Sequence, residues 1–80
     1  MIDAERIRDT LYNGRAALIF EFNGTPLKEY PYEGARVVGF LDMYSRVMVY
    51  DKVDKYYFVS YHGMFGYIPV TSVVMQVEEG

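Results

Sequence analysis

Turn signals fall so closely along this chain that only short strands fit between them. After Gly14 the sequence is broken by Asn23-Gly24, Glu33-Gly34, Asp42-Met43-Tyr44-Ser45, the charged tip Asp51-Lys52-Val53-Asp54-Lys55, His62-Gly63 and Pro69. Asn-Gly supplies the two consecutive left-handed residues that a two-residue hairpin needs, and Pro ends a ladder because it has no N–H to donate. The intervening segments Arg15–Phe22, Leu27–Tyr32, Val37–Leu41, Arg46–Tyr50, Tyr56–Tyr61, Gly66–Ile68 and Val73–Val77 are rich in Val, Ile, Tyr and Phe. Brief strands of this kind joined by tight turns predict a small sandwich or barrel. Only the start reads differently. Asp3 can cap a helix, Ala4 to Tyr12 are mostly helix formers, Ile7 and Leu11 fall on one face, and Asn13-Gly14 provides a left-handed stop. The expected inventory is one N-terminal helix and about six short strands.

With 80 residues, 51% of them hydrophobic, there is material for one domain. A core this small leaves stability as a narrow surplus over conformational entropy. The chain has no Cys, so neither disulfides nor thiolate-bound metals can supplement the core. Nine Tyr and five Phe can, because each buries a large area.

Charge narrows the function. Eight basic residues against eleven acidic ones give a net charge of −3, without a basic cluster. Nucleic-acid binding by phosphate neutralisation is therefore disfavoured, and tyrosine stacking would be its only support. Acids occupy the N-terminus where a signal peptide needs basic residues. No Lys, Arg, Asp or Glu occurs from Phe58 to Val77, but Ser60, His62, Gly63, Gly66, Pro69, Thr71, Ser72 and Gln76 interrupt that stretch, so strands and turns are expected rather than a membrane span. The chain is expected in the cytoplasm if complete, and in the cell envelope or outside the cell if it is a piece of an exported protein.

Nothing here reads as an enzyme. His62 is the only His, it sits in a turn, and no Cys is present to pair with it. The carboxylates are isolated or sit at tips such as Asp51 and Asp54, without the partly buried pairing that separates two pKa values. Asp51-Lys52-Val53-Asp54 is far short of a calcium loop. No cofactor or metal is expected.

Three segments point to a family. Val38-Gly39-Phe40-Leu41, the turn Asp42–Ser45 and Arg46-Val47-Met48-Val49-Tyr50 are similar to its strand, diverging turn and strand. Tyr56-Tyr57-Phe58-Val59-Ser60-Tyr61-His62-Gly63 is similar to the aromatic pair that opens its next strand. Gly66-Tyr67-Ile68-Pro69-Val70-Thr71-Ser72-Val73 is similar to its Gly-Tyr-Ile-Pro signature, one-turn helix and closing strand. In order and spacing these resemble an SH3 domain, in particular the bacterial SH3-like module. The resemblance covers Leu27 to Val77, with Leu27-Lys28-Glu29-Tyr30-Pro31-Tyr32 in place of the first loop strand. A second registration uses Ala17-Leu18-Ile19-Phe20-Glu21-Phe22 as the opening strand instead.

The resemblance implies a mostly β fold: a five-stranded barrel over residues 27–77, preceded in residues 1–26 by the helix and an extra strand. It also implies a binding module. By that likeness Tyr56 falls where the groove tryptophan sits, Pro69 falls on the groove proline, and Tyr30 and Tyr32 lie on the facing loop. Strand alternation turns Tyr57, Val59 and Tyr61 inward and leaves Tyr56 and Phe58 outside. Tyr30, Tyr32, Tyr56, Phe58 and Pro69 are thus the expected ligand-binding residues, for a peptide, a protein or a peptidoglycan fragment. Thr71, Ser72 and the absence of Trp depart from the eukaryotic pattern. The other expectation is an assembly part that docks through its N-terminal extension.

Overall fold

The computed structural model describes residues 14–75. The helix expected from Asp3 to Tyr12 lies outside them. Seven strands are found among the described residues: β1 (Arg15–Ile19), β2 (Thr25–Lys28), β3 (Val37–Leu41), β4 (Arg46–Val53), β5 (Tyr56–Tyr61), β6 (Met64–Pro69) and β7 (Val73–Met75). A single turn of 3₁₀ helix, Val70–Ser72, separates the last two. All pairings are antiparallel, in the order β3-β2-β6-β5-β4-β1-β7.

This corrects the expected closed barrel of five strands: the sheet has two ends, β3 and β7, and does not close on itself. The sheet is nevertheless curled. Ala17 and Ile19 from β1, Leu27 from β2, Leu41 from β3, Val47 and Val49 from β4, Val59 from β5 and Ile68 from β6 form one buried cluster, so strands far apart in the order share one core. Each such side chain contributes about 1.5–3 kcal/mol when fully buried, except the smaller Ala. Tyr57 and Tyr61 pack against the cluster, as alternation within β5 requires.

Two irregularities help bend the sheet. Register shifts between Val49 and Asp51 on β4, where Tyr50 is the extra residue, and between Leu27 and Lys28 in the β2–β3 pair. The β3–β4 turn clamps the end of β1, with the Tyr44 N–H donating to the Ile19 carbonyl at 2.7 Å and the Ile19 N–H to the Ser45 carbonyl at 2.9 Å. The Phe20 N–H donates to the Ser72 carbonyl at 2.8 Å, tying the same end to the 3₁₀ turn.

Far from being peripheral, β1 pairs with both β4 and β7. Pro26 is accommodated within β2 because β2 meets β6 only at Lys28–Tyr67, which leaves no ladder partner for Pro26 on that side. The β5–β6 turn consists of His62 (φ 50°) and Gly63 (φ 83°), the two left-handed residues of a tight hairpin. At Gly66 the backbone of β6 comes close against β2. A Cβ there would lie 2.7 Å from Leu27 Cγ and 2.8 Å from the Lys28 carbonyl oxygen.

Candidate functional site

The β5–β6 hairpin sets up an aromatic surface. Its two-residue turn fixes the register, so Tyr56 lies opposite Pro69, Phe58 opposite Tyr67 and Ser60 opposite Phe65. Val59 is buried in the core, so the alternate residues of β5 face the other way. On that outer face Phe58 is the hub. Its ring centroid is 5.1 Å from that of Tyr67, 5.8 Å from Phe65 and 6.3 Å from Tyr50, and Tyr50 and Phe65 are 6.1 Å apart. Such pairs add about 0.5–1.5 kcal/mol beyond the area they bury. The Tyr50 hydroxyl and Ser60 Oγ share a hydrogen bond of 3.0 Å, which anchors the bulged residue across the strand pair. Phe65 remains 55% exposed, so the cluster reaches the surface.

The expected binding residues divide into two groups. Tyr56, Phe58 and Pro69 come together on one face of β5 and β6, with Tyr56 and Pro69 as direct cross-strand neighbours. The Val70 N–H donates to the Lys55 carbonyl at 3.0 Å, holding the 3₁₀ turn beside the start of β5. Tyr30 and Tyr32 stack on one another, centroids 6.0 Å apart and rings 4° from parallel, both exposed on the β2–β3 connection. Local backbone bonds shape that connection, from the Tyr32 N–H to the Tyr30 carbonyl and from the Ala35 N–H to the Tyr32 carbonyl. Lys28, two residues before Tyr30, lies opposite Tyr67 and donates through Nζ to the Glu33 carbonyl. Among the described residues no ring contact joins the Tyr30–Tyr32 stack to the Phe58 cluster.

Tyr50, Phe65 and Tyr67 are members of the cluster that sequence reasoning did not single out. For Phe65 and Tyr67 the signal was available, since pairing outward from His62-Gly63 puts them opposite Ser60 and Phe58. For Tyr50 it was not, because its place depends on the bulge in β4.

Beyond Ser60, an open cleft of about 420 Å³ is lined by Arg46, Met48, Ser60, Tyr61 and His62. The His62 ring lies 4.2 Å from that of Tyr61, at 60°. Arg46 is the charged residue of that lining, and the Ser60 hydroxyl there shares a hydrogen bond with that of Tyr50. Among the described residues, no group of three or more His, Asp or Glu side chains is placed to hold a metal, and no helix is long and apolar enough to cross a membrane. No protein-family model matches the chain, and neither curated proteins nor solved structures include one that matches it.

Proposed function

We propose that this chain is a non-catalytic recognition module of SH3-like type, which receives an extended peptide of protein or cell-wall origin across Tyr56, Phe58 and Pro69. The observation that carries the reading is the cross-strand pairing of Tyr56 with Pro69, next to the Phe58–Tyr67 ring pair on an outer sheet face. Rigid aromatic rings beside a proline give a ligand apolar area at little entropic cost, which suits a segment already extended in solution. The exposed Tyr30–Tyr32 stack serves in this reading as a second contact at the neighbouring hairpin.

The SH3-like reading is supported by strand order. A three-stranded meander β4-β5-β6, a 3₁₀ turn and a last strand beside β1 form a consistent chain path for such a module. It favours the second registration, with β1 as the opening strand and residues 20–45 as the long first loop, because β1 and β7 are neighbours.

Calorimetric titration with a proline-rich peptide and, separately, with a peptidoglycan stem peptide tests the proposal. One of the two should bind, and Tyr56→Ala should weaken that binding by about tenfold or more while leaving the circular dichroism spectrum unchanged. Binding to neither probe, or equal affinity in the variant, would remove the site.

A further inference from the structure

The chain enters the sheet at the edge of its aromatic side. Gly14, the first described residue, has φ 66°, and a Cβ on it would lie 3.4 Å from both Met48 Cε and Tyr50 Cε1. Val47 and Val49 are buried in the core, so Met48 between them faces outward. Tyr50 lies on the same side, where its ring meets those of Phe58 and Phe65. The segment before Gly14 is therefore tethered directly to this outer face.

Strand register extends the face into a row. Ala16 lies opposite Met48, Met48 opposite Ser60 and Ser60 opposite Phe65, so β1, β4, β5 and β6 each contribute one side chain on the same side of the sheet. Met48 and Phe65 remain exposed, and Met48 and Ser60 line the open cleft beside them. An exposed apolar strip beside an open cleft is a docking surface in want of an occupant.

We infer that the occupant is the chain's own residues 3–12, docked as an amphipathic helix with Leu11 over Met48 and Tyr50 and Ile7 reaching Phe65. At helical spacing Ala4, Ile7 and Leu11 share one face, while Glu5, Arg6 and Asp9 fall on the opposite one. The left-handed Gly14 has the backbone conformation that ends such a helix and turns the chain into β1. Lengths agree. Residues 3–12 make a helix of about 15 Å, with Ile7 and Leu11 about 6 Å apart along it. From β4 to β6 the sheet spans two strand spacings, about 10 Å, so a helix leaving Gly14 beside Met48 passes over Phe65. A short tether holds the segment near the face at an effective concentration on the order of millimolar, an advantage no separate partner has. The segment after Met75, Gln76-Val77-Glu78-Glu79-Gly80, offers one aliphatic side chain and is a poor alternative. The Tyr56–Pro69 pair lies at the open end of the β5–β6 hairpin, away from Phe65, so the inference does not rest on the proposed ligand site.

NMR of the full chain, isotope-labelled at its Ile and Leu methyl groups, tests the docking. The methyls of Ile7 and Leu11 should be shifted upfield by the rings and show nuclear Overhauser contacts to the ring protons of Tyr50 and Phe65. In Leu11→Asp the Ile7 methyl should return to the shift of an unstructured peptide, while the buried Ile19 and Ile68 methyls keep theirs. Should that variant fail to fold, Phe65→Thr removes the contact from the sheet's side and should release Ile7 in the same way. A mixture of labelled and unlabelled chains should give no contacts between chains; finding them would overturn the inference and assign the face to the N-terminal segment of a second copy. Methyls of Ile7 and Leu11 at unstructured shifts in the unaltered chain, or in contact with Phe20 and Tyr44 instead, would overturn it too.

Discussion

Gly66 and Gly34 are the same residue type in opposite surroundings. Gly66 lies under Leu27 and the Lys28 backbone, where an added methyl group has no room, while Gly34 has nothing within 4 Å of where its Cβ would be. Gly66→Ala should therefore lower stability by about 1–3 kcal/mol through overpacking, with the β2–β6 contact forced apart. Gly34→Ala should be neutral or slightly stabilising, by up to about 1 kcal/mol, because it restricts the unfolded chain alone. Urea denaturation of both variants checks the pair, and equal losses would contradict the close approach of β2 to β6. Proximity of this kind is only half legible in a sequence. Gly66 within a strand pattern signals close approach of something, but the identity of Leu27 as the neighbour depends on a contact across 39 positions of chain.

At the scale of elements, legibility follows from how local the determining interaction is. The turn and first strand of the β5–β6 hairpin are legible because they are local, but β6 runs Met64–Pro69, longer at both ends than the expected Gly66–Ile68, since Pro69 still lies opposite Tyr56. The inward turn of Tyr57 and Tyr61 and the outward turn of Phe58 followed from the same local pattern. The β4 bulge could not be read that way, because an extra residue on one strand is decided by how the whole sheet curls. Tyr50 is the consequence: it looks like the end of a short strand, yet it sits inside an eight-residue strand and joins the aromatic cluster through its ring and its hydroxyl. Tyr50→Phe keeps the ring and removes the hydrogen bond to Ser60. It should cost about 0.5–1.5 kcal/mol in thermal or urea unfolding while leaving the outer-face ring contacts in place. No measurable change would mean that the hydroxyl pairing is not formed in solution.

For the whole molecule, the expected closed barrel and the observed open, curled sheet differ in what happens to the edges. The sequence pattern identifies strands and turns but carries no term for whether the two outermost strands of the sheet meet, and here β3 and β7 remain apart at its ends. The position of β1 differs from expectation for a related reason. With Leu27–Tyr32 as the first loop strand, Arg15–Phe22 is an extra strand before the barrel, whereas its pairing with β4 and β7 brings Ala17 and Ile19 into the shared core. The five candidate residues lie in two hairpins, with Tyr56, Phe58 and Pro69 on one outer face and Tyr30 and Tyr32 stacked on the β2–β3 connection.

The most direct test of that face as a docking surface is a map of backbone amide shifts in the ¹⁵N-labelled chain as a bound peptide probe is added. Our account predicts the largest changes at Tyr56, Phe58, Tyr67 and Val70, with smaller ones at Tyr30 and Tyr32. Saturation of the probe with those amides unmoved, and with the changes gathered instead along β1 and β7, would contradict it.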